Sequence, residues 1–580
     1  MKTVFEKLCR LLLPSNGPLH NGDVMRGMGI AVFVGVIAGL GAVLFRSLIG
    51  WIEVAGFGHG KSLLSGLGDY YIVVIPAIGG LIVGPLVYFF AREAKGHGVP
   101  EVMIAVAKNG GRIRPRVALV KILASAITIG TGGSVGREGP IVQIGATFGS
   151  AIGQRLKLPE NWIRTLVACG AAGGISATFN APIAGVFFAL EVILGSFATR
   201  YFSVVVVSSV VAAVVSHGFL PDIANLAVPE YGLKHAMEIP LYGVLGALAG
   251  AFGVLFIIVL YAFEDGFDRI KFPEWGKPVL GGLIVGGLGL YSTDLFGVGY
   301  GALERAARGE VLLVSALILM GLKVLATSVT IGSGGSGGVF APSLFLGGML
   351  GSAFGILVNQ LFPDIAGPVG AYAIVGMAAM FSSTARAPIT AVVILFELTR
   401  DYQIILPLMM CVVVSTIVSQ LLYKESIYTK KMRRKGVEPP GQESFDALES
   451  VIVGDVMSKD FQSVPDTKPI QELENAFKAA GQRGLLVIDD NGELEGVVTV
   501  SDVENALRND SEAVTAGDIA SRSLVTAYPD QTLRSALIQI GADEVGRIPV
   551  VRRESPREIA GVLRRHDIIS AYTESNKKGI

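Results

Sequence analysis

Two glycine-rich stretches constrain this chain more than any other feature. Lys121 to Pro140, KILASAITIGTGGSVGREGP, and Lys323 to Pro342, KVLATSVTIGSGGSGGVFAP, stand in register at an offset of 202 residues. The register continues past the prolines, where Gly145 and Gly149-Ser150-Ala151 match Gly347 and Gly351-Ser352-Ala353. Asn180-Ala181-Pro182-Ile183 running to Glu191 likewise matches Arg386-Ala387-Pro388-Ile389 running to Glu397, at an offset of 206. One unit is therefore duplicated, with halves at about residues 27–217 and 242–423.

The surroundings of these stretches set the class. The chain has 580 residues, 51% hydrophobic and only 17% charged, unlike a soluble globular protein. Apolar runs at 30–45, 72–90, 204–215 and 311–325 dominate up to about Tyr423, and several approach the roughly 18 residues that cross a hydrocarbon core. After Met432 the chain is charged and ordinary. The expected fold is a polytopic α-helical membrane protein with inverted internal repeats at 27–429, followed by a linker at 430–451 and an α/β tail. Repeats of this kind join at a midplane where broken helices turn their ends toward an ion. The basic residues Lys2, Lys7 and Arg10 precede the first apolar run, and Lys430, Lys431, Arg433, Arg434 and Lys435 follow the last. By the positive-inside rule both termini, including residues 1–26 and the tail, are cytoplasmic, with the protein in a cell or inner membrane. No cleaved signal peptide is expected. Cys9, Cys169 and Cys411 lack metal or disulfide spacing and read as packing residues. A formal charge of zero argues against a nucleic-acid partner.

An anion entering lipid must exchange its water for other polar groups. Amides at helix N-termini supply them without a full charge, and glycine lets the backbone approach closely. Gly136-Arg137-Glu138-Gly139-Pro140, Gly338-Val339-Phe340-Ala341-Pro342 and Gly96-His97-Gly98-Val99-Pro100-Glu101 each combine glycine with a proline that marks a helix start. Lys121 and Lys323 either raise the local positive potential or snorkel at helix ends. Ser134 and Ser336 read as helix-packing residues. There is no HExxH helix and no nucleophile-base arrangement, so an enzyme is not expected.

The three turns resemble the GSGIP, GREGP and GxFxP signatures of the CLC family of chloride channels and chloride/proton exchangers, and NAPIAG and DYQIILP extend the resemblance over the whole membrane region. It implies a homodimer in the lipid bilayer with one pore per subunit, chloride or another small anion bound, and no required cofactor. It implies that Glu138 is an outer gate whose carboxylate mimics the anion; read without the family, Glu138 pairs with Arg137 in a structural bridge. His97, Gly98, Arg137, Gly139, Val339 and Phe340 would line the anion site, the last two through their backbone amides. Tyr428 would be the inner-gate tyrosine; read without the family it is an interfacial anchor.

The tail repeats too: Gly454-Asp455-Val456-Met457-Ser458 matches Gly517-Asp518-Ile519-Ala520-Ser521, and Gly496-Val497-Val498 with Asp502 matches Gly561-Val562-Leu563 with Asp567. This resembles a tandem pair of CBS domains, at 452–509 and 515–575, which pack together and often hold an adenine nucleotide. Thr499, Asp502, His566 and Asp567 are the nucleotide-binding candidates. The two aspartates either meet ribose hydroxyls or only cap a helix.

Two departures from the CLC pattern matter. His97 replaces the usual serine, bringing a titratable imidazole that donates to the anion or points away from it. Val192 stands where exchangers carry an internal proton-accepting glutamate, and the nearby Met103 is apolar as well. Glu191 has the repeat partner Glu397 and reads as structural. The expectation is a passive anion channel gated by Glu138. A chloride/proton antiporter using a relay through His97 or water stays open. A CBS-containing magnesium transporter is the third reading, although a divalent cation needs oxygen ligands rather than N–H groups.

Overall fold

A computed structural model describes residues 21–63, 65–197, 199–219, 233–437, 448, 451–508, 515–522, 524–542 and 547–578. Cys9, Lys2, Lys7, Arg10 and most of the expected linker lie outside them. The described residues fall into two compact units, one within Met1–Leu158 and Trp162–Gln442, the other within Pro159–Asn161 and Glu443–Ile580.

In the first unit, α1 (Asn21–Glu53), α2 (Tyr71–Phe90), α3 (Val99–Lys108), α4 (Arg116–Gly130), α5 (Glu138–Arg155), α6 (Glu160–Phe179), α7 (Pro182–Phe188) and α8 (Thr199–Phe219) form the first half. The second half repeats them as α9 (Glu238–Arg269), α10 (Lys277–Gly289), α11 (Tyr300–Ala307), α12 (Leu313–Gly332), α13 (Phe340–Leu361), α14 (Val369–Ala385), α15 (Pro388–Thr399) and α16 (Ile405–Leu422). A short α17 (Thr429–Arg434) follows, inside the stretch expected as linker. Proline at the first positions of α3, α7, α10 and α15 starts these helices where no intrahelical N–H is needed. Among the described residues seven helices are long and apolar enough to cross a membrane. Val210 and Val214 on α8 and Leu406, Val413, Ile417 and Leu421 on α16 turn outward, as lipid-facing or partner-facing positions do.

The halves meet by exchange of equivalent contacts. Gly136 and Gly338 pair antiparallel through both amides, and α5 and α13 start two residues later, so the two helices run away from a shared point. The repeats are therefore inverted. Ser125 meets Ser336 at 2.9 Å while its repeat mate Thr327 meets Ser134 at 3.4 Å. The amide of Ser134 donates to Thr330, and that of Ser336 to Thr128. Helices α2 and α10 cross at Gly80 and Gly282: an added Cβ would lie 2.2 Å from the Pro278 carbonyl oxygen in one and 2.3 Å from that of Pro76 in the other. Ser134 and Ser336 thus pack the repeats together, as the sequence suggests. Helix α14, buried at every residue from Gly370 to Ala385, fills the interior of the second half.

The second unit carries the tail. α18 (Val453–Val456), β1 (Ser463–Pro465), α19 (Ile470–Ala480), β2 (Gly484–Ile488), β3 (Leu494–Thr499) and α20 (Val500–Arg508) precede α21 (Ala516–Ile519), α22 (Leu533–Ala542), β4 (Arg547–Val551), β5 (Ile559–Arg564) and α23 (Arg565–Lys578). β1 runs parallel to β2, β2 antiparallel to β3, and β4 antiparallel to β5. Here too the copies exchange segments: Ser458 of the first copy bridges Val562 in the second, while Ser521 of the second bridges Val497 in the first. Leu486, Leu494, Val551 and Val562 form the apolar seam.

Candidate functional site

Two repeat-related pairs of helix N-termini in the membrane unit, α7 with α15 and α5 with α13, differ in how they are closed. At α7 the amides of Ile183 and Ala184 donate to Glu397 at 2.9 and 2.7 Å. At α15 the amides of Ile389 and Thr390 donate to Glu191 at 3.1 and 2.8 Å, with the Thr390 hydroxyl adding 2.6 Å. These two glutamates are reciprocal caps, the structural role expected of them. Helices α5 and α13 have no side-chain cap, and each begins with amides followed by a proline.

The residues singled out by sequence gather around those two free ends. Arg137 and Val339 are the N-cap positions of α5 and α13. Glu138 is buried, and its carboxylate faces its own amide and that of Ala341 in the first turn of α13. Neither contact is a formed hydrogen bond at Oε2, which has no partner, while Oε1 lies 3.5 Å from the Tyr300 hydroxyl. Gly136 leaves room for this pose, since a Cβ there would sit 2.2 Å from Oε2. Phe340 packs between Phe179 and Phe381, with centroids 5.3 and 4.2 Å away. Gly139 lies against the His97 carbonyl, where a Cβ would come within 2.2 Å.

His97 lies in the turn before α3, whose N-cap Gly98 has a φ of 80° that favours glycine. The imidazole is buried with both ring nitrogens unpartnered, 6.4 Å between centroids from Tyr428 and 6.3 Å from Tyr261. Lys121, Lys431 and Lys435 supply the positive field around it. Tyr428 is buried as the N-cap of α17, its amide donating to Ser426, while the neighbouring Ile427 amide donates to Thr384. Burial, with a further contribution from the charge of Glu138, pushes its phenol up, so it remains a hydrogen donor at neutral pH.

The structure decides between the two readings of the lysines. Lys121 and Lys323 do not snorkel: both are buried, and each ammonium donates to two carbonyls of the loop before a short helix. Lys121 reaches Ala94 and Gly96 at 3.0 and 2.8 Å; Lys323 reaches Leu295 and Gly297 at 3.0 and 2.8 Å. Their work is to hold those loops. Val192 lies buried in a π-helical turn, Ala189–Leu194, and Met103 is buried on α3. Neither can bind a proton.

Tyr300, Tyr261 and Arg46 are site residues that sequence reasoning missed. Tyr261 donates to the Ile427 carbonyl at 2.6 Å, Tyr300 touches Glu138, and Arg46 acts electrostatically on Arg137 and Tyr300. The repeat register held a signal for Tyr300: the Gly297-Val298-Gly299 turn before α11 is the second copy of Gly96-His97-Gly98. No glycine motif marks the other two.

In the tail, Asp502 accepts from the Thr499 amide and hydroxyl at 2.8 and 2.7 Å, and Asp567 accepts from the Arg564 amide at 2.9 Å. His566 is exposed, 3.4 Å from the Ser570 hydroxyl. Both aspartates therefore serve as helix caps here. A cleft between the two sheets is lined by Phe461, Leu485, Val497, Pro549 and Arg564, among others, and by none of the four nucleotide candidates.

Residues 79–420 match the voltage-gated chloride channel family, and residues 453–509 and 516–574 each match the CBS domain. The chain is 31% identical over 615 residues to chloride channel protein CLC-f of Arabidopsis thaliana, covering 90% of this chain and 77% of that one. It is 34% identical over 423 residues to the H(+)/Cl(-) exchange transporter ClcA of Yersinia pestis, covering 70% and 87%. A slow cyanobacterial Cl-/H+ antiporter superposes with a TM-score of 0.63 at 26% identity, over 72% of this chain and 99% of that one. The chain belongs to the voltage-gated chloride channel family: it is a multi-pass CLC-type anion transporter carrying two CBS domains.

Proposed function

We propose that this protein conducts chloride or a similar small anion passively, through one path in each subunit of a homodimer, with Glu138 as the outer gate. The supporting observation is the pose of Glu138, whose carboxylate faces the uncapped end of α13, where a permeant anion would be drawn. Protonation removes the charge that competes for this position, so external acid opens the path. Glycines and amides at Gly98, Gly139, Val339 and Phe340 replace the water of the anion, with Arg137 adding positive potential and Tyr428 donating at the inner end. Val192 deprives the usual internal relay of its acid, which favours conduction over exchange.

Proton exchange is the second reading, carried by His97, whose two unpartnered ring nitrogens offer a proton site beside Tyr428. The exchange activity named for several relatives adds weight to it. Purified protein in liposomes decides between the two. A chloride gradient that leaves protons at equilibrium supports the channel; uphill proton movement in fixed ratio to chloride overturns it.

The same reading takes 27–429 as the transport domain, 430–451 as a linker and 452–509 with 515–575 as a cytoplasmic regulatory pair. An adenine nucleotide would meet Thr499, Asp502, His566 and Asp567 there.

A further inference from the structure

The inverted repeat delivers one glycine turn to each end of the anion path. In the first half Gly96-His97-Gly98 precedes α3 and presents His97 beside Tyr428. In the second half Gly297-Val298-Gly299 precedes α11 and presents Tyr300 to Glu138. This second turn is rigid. Gly299 has a φ of 77°, and a Cβ there would meet the Asp294 carbonyl and the Phe345 ring, both at 2.7 Å. Lys323 ties down Leu295 and Gly297, and Arg305 holds Asp294 at 2.6 Å. The Tyr300 ring is steadied from its face by the Arg137 guanidinium, 5.0 Å from the centroid.

We propose that Tyr300 is a positioning residue for Glu138, donating its hydroxyl hydrogen to the ionised carboxylate and so setting the pH at which the gate lets go. The proposal rests on the reading of Glu138 as the gate. Among the described residues Tyr300 is the one side chain placed to donate to Glu138. The charged or titratable groups around the carboxylate are Arg137 at the N-cap of α5, Tyr300 on α11 and Tyr428 ahead of α17, with Arg46 on α1 reaching Arg137 and Tyr300, while α13 contributes amides alone. Arg137 supplies positive potential and the backbone amides of Glu138 and Ala341 face the carboxylate, so Tyr300 is the side chain that aims it.

The sign follows from which form is stabilised. A donor to the carboxylate favours its charged state, and removing it lets the proton bind at higher pH. In a chloride-efflux assay on the full-length protein in liposomes, Tyr300→Phe keeps the ring for Arg137 and is expected to raise the midpoint of external-acid activation by about half to one pH unit. Incorporation of 3-fluorotyrosine at position 300, a stronger donor that preserves the fold, is expected to lower it while the phenol remains protonated. In a Glu138→Gln background both changes should leave the pH profile flat. If wild-type pH dependence survives Glu138→Gln, the gate reading fails. If it disappears there, yet a monodisperse Tyr300→Phe protein and the fluorotyrosine protein keep the wild-type midpoint, Tyr300 does not position the gate. Should Tyr300→Phe not fold, the fluorotyrosine shift alone decides.

Discussion

Lys121 donates to the carbonyl of Gly96 at 2.8 Å, tying the first glycine-rich stretch to the turn that carries His97. Lys323 repeats the bond on Gly297 at 2.8 Å and so serves the turn that carries Tyr300. Replacing Lys323 with methionine removes the donor of the Leu295 and Gly297 carbonyls, at a cost of about 1–3 kcal/mol for each that stays buried, whereas after Lys121→Met the Ala94 carbonyl still accepts from the Ser336 hydroxyl and that of Gly96 from the Gly337 amide. The functional outcomes should differ. Lys121→Met is expected to alter anion selectivity, and Lys323→Met to move the pH midpoint, both readable by ion flux beside a thermal melt. Identical functional profiles for the two variants would contradict the assignment of one turn to each end.

Glu138→Gln mimics the protonated gate. Flux at neutral pH should rise toward the acid-activated wild-type level, and its dependence on external pH should vanish. Steepness with voltage should fall as well, since a unit charge crossing a 100 mV drop exchanges about 2.3 kcal/mol with the field. Patch recordings over a pH series check both effects.

His97→Ser exchanges an imidazole for a small hydroxyl beside Tyr428, at the proposed inner end of the path. A change of about 1 kcal/mol in one hydrogen bond to the anion corresponds to roughly a fivefold change in preference. The chloride/nitrate permeability ratio should move by about that factor. An unchanged ratio means that the ring contributes nothing to selection.

Glu191 and Glu397 cap each other's repeat, so their loss should be felt symmetrically. Alanine at either position removes the acceptor of two helix-end amides and is expected to cost about 1 kcal/mol or somewhat more. Thermal unfolding in detergent should fall by similar amounts for the two variants. A large loss from one alone would show that the symmetry of the contacts is not a symmetry of energies.

Asp502 and Asp567 cap α20 and α23, so alanine at each should destabilise the tail by about 1 kcal/mol even without ligand. Calorimetric titration of the full-length protein with AMP, ADP and ATP is expected to show binding of at least one, weakened in the Asp502→Ala, Asp567→Ala double variant. No heat with any of them would leave the pair as an assembly module.

The glycine turns, the helix starts at their prolines, the duplication and the doubled tail were legible because each rests on local rules: proline at a helix entrance, apolar length against bilayer thickness, and residue-by-residue self-similarity. Partnership was less legible. Tyr300 lies 162 residues from Glu138, and the glycine turn before it marks a helix start but not its partner. The lysines read as charged residues near helix ends, yet their neighbours are carbonyls brought from 25 to 28 positions away. Asp502 kept two readings open because a capping carboxylate and a ribose acceptor have the same sequence.

By itself the sequence determined a twice-copied membrane unit whose glycine turns and prolines start helices, with an acid, Glu138, in one copy and Val339-Phe340 in the other. Only the tertiary structure decided which ends are free. The glutamates that close α7 and α15 come from the opposite repeat, 198 to 214 residues away, and folding alone brings them there. A helix N-terminus is a local feature, but its neutralisation is a long-range event, and that difference separates a structural end from one left open to an anion.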